Sequence, residues 1–151
     1  MKIEEELKTS KFNDETHKAV LNILFTAGWL HNRLTIQLKK YGLYHEQYNV
    51  LRILRGQKST RISQKEILSR MINKSSNLTR IITKLKTKGL LTLKVSDTDK
   101  REYMIAITGK GLELLKKIDR DFKALPNNLV NLSISESFHL NALLDKLRES
   151  E

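Results

Sequence analysis

The spacing of the hydrophobic residues changes at Gly89, and this change constrains the fold more than any other feature of the sequence. Over residues 75–88 they recur at intervals of three and four, which predicts a helix with one buried face. Over 91–95 they alternate with polar residues, and over 103–107 Tyr103, Ile105 and Ile107 alternate with Met104 and Ala106. This period of two predicts a β-hairpin with a polar, charged tip at 96–101. The middle of the chain therefore combines a helix with a hairpin that follows it directly.

Helical patterns lie on both sides of this segment. They cover 16–40, 45–55, 63–71 and 109–125, and a last helix begins after Ser133. Ser63 and Ser133 each stand three residues before a glutamate, the pattern of a capping box. We expect Thr108 to cap the helix from 109 and Pro126 to end it, and 60–62 is too short to assign. Because the chain of 151 residues has one proline and six glycines, we predict a mainly α-helical fold with a small β-wing.

Positive charge is concentrated in one block. The formal net charge is +11, and residues 58–101 contain 12 basic and 3 acidic side chains. Clustering of this kind is typical of a surface that binds nucleic acid, although a solvated, lysine-rich surface would give the same counts. The helix predicted over 16–40 is apolar on more than one face, so one face can serve the core while another needs a partner.

The side chains of the basic block suit DNA. A short helix, a tight turn and a second helix form a helix-turn-helix, whose second helix enters the major groove. In that helix Arg80 can contact guanine and Asn77 can contact adenine, each through two hydrogen bonds. Further candidates are the hydroxyl groups of Ser75, Ser76 and Thr79 for phosphates or bases, and the amines of Lys84, Lys86 and Lys88 for phosphate. Arg101, at the hairpin tip, can enter the minor groove.

Several other functions are excluded or disfavoured. The absence of cysteine excludes a disulfide scaffold, a thiol nucleophile and a cysteine-based redox switch. We find no nucleophile–base pair and no phosphate-binding glycine-rich loop, and Asp97 and Asp99 lie on an exposed tip that does not favour a perturbed pKa. The four histidines are His17, His31, His45 and His139. They match no local ligand motif, so any metal site would have to form between distant segments, and we predict none. We likewise expect no enzyme activity and no cofactor.

Membrane and secretory functions are also disfavoured. No apolar stretch approaches the roughly 18–20 residues that a membrane-spanning helix needs. The N-terminal residues contain no hydrophobic segment of a secretory signal. We therefore expect a cytoplasmic protein that makes no membrane contact.

Four stretches resemble the MarR family, a class of winged-helix transcriptional regulators of bacteria and archaea. They are 43–51 (LYHEQYNVL), 63–71 (SQKEILSRM), 75–90 (SSNLTRIITKLKTKGL) and 97–111 (DTDKREYMIAITGKG). The last two are specific together, because a helix ending in Lys-Gly-Leu is followed by Asp-x-Asp-Lys-Arg and then Thr-x-x-Gly. The resemblance extends over about 16–148.

The resemblance implies a winged helix-turn-helix over 44–108, with dimerisation helices at 14–42 and 109–149. It further implies a homodimer that binds a palindromic operator in double-stranded DNA and usually represses nearby genes. In such a protein Asp99 would brace the wing, Lys100 and Arg101 would contact DNA from its tip, and Ser63 would meet phosphate. The chain departs from the family at Tyr44, which replaces the usual Thr or Ser helix cap, and at Leu68, which replaces a small residue.

The resemblance also implies a small-molecule effector, because the family often binds amphipathic or aromatic compounds. An aromatic pocket between the dimerisation and DNA-binding regions would use Trp29, His31, Tyr41, Tyr44 and Tyr48. These residues could equally form the core of the dimer and of the hinge. The alternative function is a winged-helix module that binds RNA or an acidic protein partner. A preference for palindromic duplex over single strands and structured RNA would distinguish the two.

Overall fold

The computed structural model describes residues 1–57, 60–74, 77–123 and 131–149. These residues form seven helices and three strands. The helices are α1 (Ile3–Leu7), α2 (Glu15–Lys39), α3 (His45–Gly56), α4 (Gln64–Arg70), α5 (Leu78–Thr87), α6 (Gly109–Lys123) and α7 (Ile134–Arg148); the strands are β1 (Ile62–Ser63), β2 (Leu91–Val95) and β3 (Tyr103–Ile107). The chain divides into two compact units, Met1–Asp119 and Arg120–Glu151, and the second contains the end of α6 and all of α7.

The sheet is antiparallel with the order β1-β3-β2. Strands β2 and β3 form the predicted hairpin, with Leu93 opposite Ile105. The segment left unassigned by the sequence supplies β1, in which Ile62 also pairs with Ile105. The wing therefore rests on a third strand that immediately precedes α4.

The core of the first unit lies beneath this sheet and the helices around it. Its most deeply buried side chains, all below 2% exposure, include Leu51, Leu54, Ile67, Ile82, Leu85 and Ile105. They come from α3, α4, α5 and β3, so the helix-turn-helix and the wing share one core. Each such side chain contributes about 1.5–3 kcal/mol of transfer free energy when it leaves water.

The two serine caps behave differently. Ser133 and Glu136 form a complete capping box at the start of α7. Ser63 accepts a hydrogen bond from the amide of Glu66 at 3.2 Å, as predicted. The second bond of the predicted capping box, from the amide of Ser63 to the carboxylate of Glu66, is not formed, so that part of the prediction was wrong. The carboxylate pairs instead with Arg70 at 2.7 Å, one turn along α4.

Thr108 joins two elements. Its hydroxyl accepts a hydrogen bond from the amide of Gly111 at 3.1 Å, which confirms the predicted cap of α6. The same hydroxyl donates to the carbonyl of Gly89 at 2.8 Å, just beyond the end of α5. Gly89 has φ of +70°, a left-handed conformation that glycine adopts without steric cost, and it ends α5 as predicted.

Other differences from the sequence predictions concern the ends of the chain and of α5. The helix α1 was not predicted, because its five residues are too few to show a periodic pattern. Helix α5 begins at Leu78, after Asn77 at the N-cap. Pro126 and residues 124–125 of the predicted helix 109–125 lie outside the described residues. No helix among the described residues is long and apolar enough to span a membrane.

Candidate nucleic-acid interface

Helix α5 has one buried and one basic face. Leu78, Ile82 and Leu85 are buried and Ile81 is half-buried, and the remaining side chains are exposed. The exposed set includes Asn77, Thr79, Arg80, Thr83, Lys84 and Lys86. The sequence has no acidic residue from 73 to 96, so no carboxylate of its own neutralises this face.

Polar side chains fix the turn of the helix-turn-helix. Asn49 of α3 accepts a hydrogen bond from the amide of Ile72 at 3.2 Å. Thr79 of α5 donates its hydroxyl proton to the side-chain oxygen of Gln64, the first residue of α4, at 3.3 Å. While this bond is made, Thr79 can accept hydrogen bonds from a ligand. Asn49 and Gln64 were missed in the sequence, because their partners lie 23 and 15 residues away.

The other predicted DNA-binding residues differ in position and in exposure. Asn77 occupies the N-cap of α5, where its side chain makes no capping hydrogen bond. Ser63 is half-buried, and because its oxygen accepts the cap bond from Glu66, its O–H can still donate. Ser75 and Ser76 lie outside the described residues.

One of the lysines assigned to phosphate has another partner. The amine of Lys88 donates to the carbonyl of Gly42, in the loop between α2 and α3. The amine of Lys110 in turn donates to the carbonyl of Lys88 at 2.9 Å. Lys88 therefore stabilises the packing of the loops at the end of α5.

The wing tip is a compact turn. Its centre is Ser96, which is only 5% exposed and whose hydroxyl accepts hydrogen bonds from the amides of Thr98 and Asp99, both at 3.3 Å. Asp99 accepts from the amide of Arg101 at 2.9 Å. Lys100 and Arg101 are exposed at the tip. Ser96 was missed because a buried serine in a polar run has no distinct sequence signal.

The five residues of the predicted effector pocket occupy different surroundings within the first unit. Trp29 lines a cavity of about 260 Å³ with Ile3 and Phe25. Tyr44 lines a separate cavity of about 270 Å³ with Glu46, Gln47, Asn77, Arg80, Ile81 and Lys84. Tyr48 is buried beneath the guanidinium of Arg52, and the amine of Lys40 lies 5.1 Å from the ring centre of Tyr41.

The remaining member of that set, His31, lies beside His45, with 5.1 Å between ring centres. Burial lowers the pKa of His45, and the positive charge that His31 can carry lowers it further. His45 is therefore held in its neutral form near neutral pH. The amide of the preceding Tyr44 donates to the side-chain oxygen of Gln47 at 3.1 Å, so α3 is capped through Gln47.

Comparison with known proteins identifies the family to which the chain belongs. A family model described as "Transcriptional regulator SarA/Rot" matches residues 34–118, more than half of the chain. The chain belongs to the SarA/Rot family. The match runs from α2 through the winged helix into α6, so it includes the whole basic face and the wing. The expected absence of enzyme activity agrees with this family, whose members are transcriptional regulators.

Individual relatives of this SarA/Rot protein agree. The HTH-type transcriptional regulator MhqR of Bacillus subtilis (strain 168) is 27% identical over 111 residues, which cover 74% of this chain and 75% of MhqR. A MarR-like transcription regulator from Bacillus cereus ATCC 10987 matches with a TM-score of 0.77 and 24% identity, over 89% of this chain and 96% of that one. A mutant MarR from E. coli complexed with operator DNA matches with a TM-score of 0.78 and 22% identity, over 93% of this chain and 100% of that one. The predicted MarR-type winged-helix fold is confirmed, and the chain is a transcriptional regulator of that type.

Proposed function

We propose that this SarA/Rot-family protein binds a palindromic DNA operator as a homodimer and represses the genes beside it. The observation that carries the proposal is the basic face of α5, which is exposed, free of acidic residues and held by a buried apolar face. Such a helix fits the major groove, while the tip of the wing can reach the adjacent minor groove.

The roles of individual residues follow from their chemistry. Arg80 suits two hydrogen bonds to guanine, and Lys84 suits phosphate. Thr79, whose proton is committed to Gln64, suits an amino group of adenine or cytosine. At the wing, the hydrogen bond from the amide of Arg101 to Asp99 fixes the backbone from which the arginine extends.

Exposed apolar side chains on two helices support a dimer. On α2, Val20, Leu24 and Ile36 are 40%, 65% and 69% exposed. On α7 the exposed apolar side chains are Ile134, Phe138, Leu140, Leu143 and Leu147, at 92%, 72%, 43%, 66% and 55%. Exposed apolar surface of this extent marks an interaction site. A second copy of the chain would cover it and would supply the second α5 for a palindrome, about 34–36 Å from the first.

The cavity beside α5 supports regulation by a small molecule. It places the ring of Tyr44 beside the cationic side chains of Arg80 and Lys84. An aromatic ligand with an acidic group can stack on Tyr44 and pair with Arg80. Because Arg80 cannot serve this ligand and a guanine at once, the ligand binds the DNA-free state more tightly and releases the operator.

The test is fluorescence anisotropy with duplex DNA from the region upstream of the gene, a scrambled duplex of the same composition, and a structured RNA, each over a range of salt. We expect tight binding to the native duplex, weak binding to the scrambled one, and a steep loss of affinity with salt. Equal affinity for both duplexes would contradict a specific regulator of its own promoter. Preference for the RNA would favour the alternative function.

A further inference from the structure

Two histidines and a glutamate converge where α2 meets the start of α3. His31 lies in α2, and His45 and Glu46 are the first two residues of α3. One potential metal-ligand atom from each lies within 4.8 Å of the other two. Nε2 of His31 lies 3.7 Å from Oε1 of Glu46.

These distances are close to what a metal ion requires. Ligand atoms about 2.0–2.1 Å from a tetrahedral Zn²⁺ ion are separated from one another by about 3.3–3.4 Å. The pair of His31 and Glu46 is within a few tenths of an ångström of that separation. The other distances in the group are at most 4.8 Å, and His31 and Glu46 are 43% and 35% exposed, so their side chains have room to rotate toward a common ion.

The polar atoms of this region are incompletely satisfied by the protein. Among the described residues, only two buried side-chain nitrogen or oxygen atoms have no hydrogen-bond partner, and they are Nδ1 of His45 and Oγ1 of Thr35. Thr35 lies one turn along α2 from His31, on the same face of the helix. Burying such an atom without a partner is unfavourable, and Nδ1 of His45 belongs to the group itself, so it points to a ligand there.

We propose that His31, His45 and Glu46 bind a divalent transition metal ion, with Zn²⁺ as the best match. Two imidazoles and one carboxylate are typical zinc ligands, whereas Ca²⁺ and Mg²⁺ prefer sites made of oxygen alone. Three protein ligands leave a fourth position for water. The histidine spacing did not indicate this site, because more than two turns of α2 and a loop separate His31 from the other two residues.

A bound ion would act on DNA binding, and this step rests on the proposed function. Glu46 also lines the cavity that contains Arg80 and Lys84. When the metal binds the carboxylate of Glu46, its negative charge is neutralised beside the basic face of α5. The ion would also connect α2 to α3. We therefore expect Zn²⁺ to raise the affinity for the operator about fivefold or more, a usual size for coupling between two sites.

The first experiment measures the metal without DNA. The full-length protein is stripped with a chelator and titrated with Co²⁺, whose absorption reports its ligands, and then with Zn²⁺ against a chromophoric competitor. We expect one ion per chain, and a loss of affinity of about tenfold or more in His31→Gln and His45→Gln, since even indirect partners of a metal contribute that much. His139→Gln, which changes an exposed histidine of α7, should bind as the wild type does.

Equal metal affinity in the wild type, His31→Gln and His45→Gln would overturn the site, provided that circular dichroism and melting in chelator show all three to be folded. The second experiment repeats the operator titration with and without Zn²⁺. Metal binding with unchanged operator affinity would overturn the coupling alone. Metal binding by a protein that binds no duplex specifically would overturn the proposed function and leave the metal site standing.

Discussion

The carboxylate of Asp99 accepts a hydrogen bond from the backbone N–H of Arg101, with Oδ1 2.9 Å from the nitrogen. The bond closes the wing tip two residues before its exposed arginine. It adds to the two hydrogen bonds that the buried Ser96 accepts at the start of the same turn. The direction in which Arg101 leaves the wing is therefore set by the backbone of the turn.

We predict that Asp99→Ala weakens operator binding about three- to tenfold. Without the bond from Asp99, the backbone at Arg101 is no longer fixed, and DNA binding must then order that backbone. Asp97→Ala is the matched control, since it also removes one negative charge from the wing tip. The carboxylate that it removes pairs with Lys94 and does not bond to the backbone of Arg101. Anisotropy titrations of both variants measure the difference. Equal affinities would show that Asp99 acts only through its charge.

Arg80 and Lys84, two of the three cations of α5, should contribute to DNA binding in different ways. Arg80→Ala should cost about 1–3 kcal/mol with the operator and relax base preference at one position, if it contacts guanine through two hydrogen bonds. Lys84→Ala should weaken specific and non-specific binding alike and reduce the salt slope by about one unit. Lys116→Ala, an exposed lysine of α6 that pairs with Glu113, should change neither. A shared pattern for Arg80 and Lys84 would contradict the proposed base contact.

The apolar faces of α2 and α7 should hold the dimer together. Leu24→Glu and Phe138→Glu each place a charge on a side chain that a second copy would bury, so we expect monomers and a large loss of operator affinity. Sedimentation equilibrium gives the mass directly. Ile72→Glu is the control for the mass alone, because Ile72 is 74% exposed and lies on neither helix. Dimers that persist in both variants would place the interface elsewhere.

Two glycines at the start of α6 should respond oppositely to alanine. At Gly111 an added Cβ would lie 2.4 Å from the carbonyl oxygen of Leu90 and 2.7 Å from Cγ1 of Ile107, so Gly111→Ala should lower the free energy of unfolding by about 1–3 kcal/mol. At Gly109 nothing lies within 4 Å, so Gly109→Ala should leave it unchanged or raise it by up to about 1 kcal/mol. Urea denaturation tests both. Similar losses in the two variants would contradict the close approach at Gly111.

The capping box of α7 should depend on pH. The amide of Ser133 donates to the carboxylate of Glu136 and lowers its pKa below the usual carboxyl range. The stabilisation is therefore present at neutral pH and is lost as the pH falls through the lowered pKa. Glu136→Gln should be less stable than the wild type at neutral pH, and the two should converge in acid. A constant difference across that range would show that the charge does not contribute.

Much of this fold follows from patterns within single segments. The stripe of α5, the alternation of β2 and β3 and the box at Ser133 all depend on neighbours a few residues apart, and each was predicted. The strand β1 was missed because two residues have no period, and its partner Ile105 lies 43 positions after Ile62. Such a pairing exists only once the chain has folded.

The candidate sites also differ in whether they can be found within one segment of the sequence. Arg80 and Lys84 can be found from residue type and position on one helix. The group of His31, His45 and Glu46 could not be found, because a separation of 14 residues between the histidines matches no ligand spacing on one element. It depends on the loop that brings α3 back against α2. The cavity shared by Tyr44 and Arg80 likewise joins α3 to α5, 36 residues apart.

The hydroxyl of Thr108 has a mechanical consequence. Because it bonds both to the carbonyl that follows α5 and to the first turn of α6, the two helix ends cannot separate without breaking that group's hydrogen bonds. One side chain therefore couples the start of α6 to the end of the basic helix, and a substitution that removes the hydroxyl would loosen both helix ends at once.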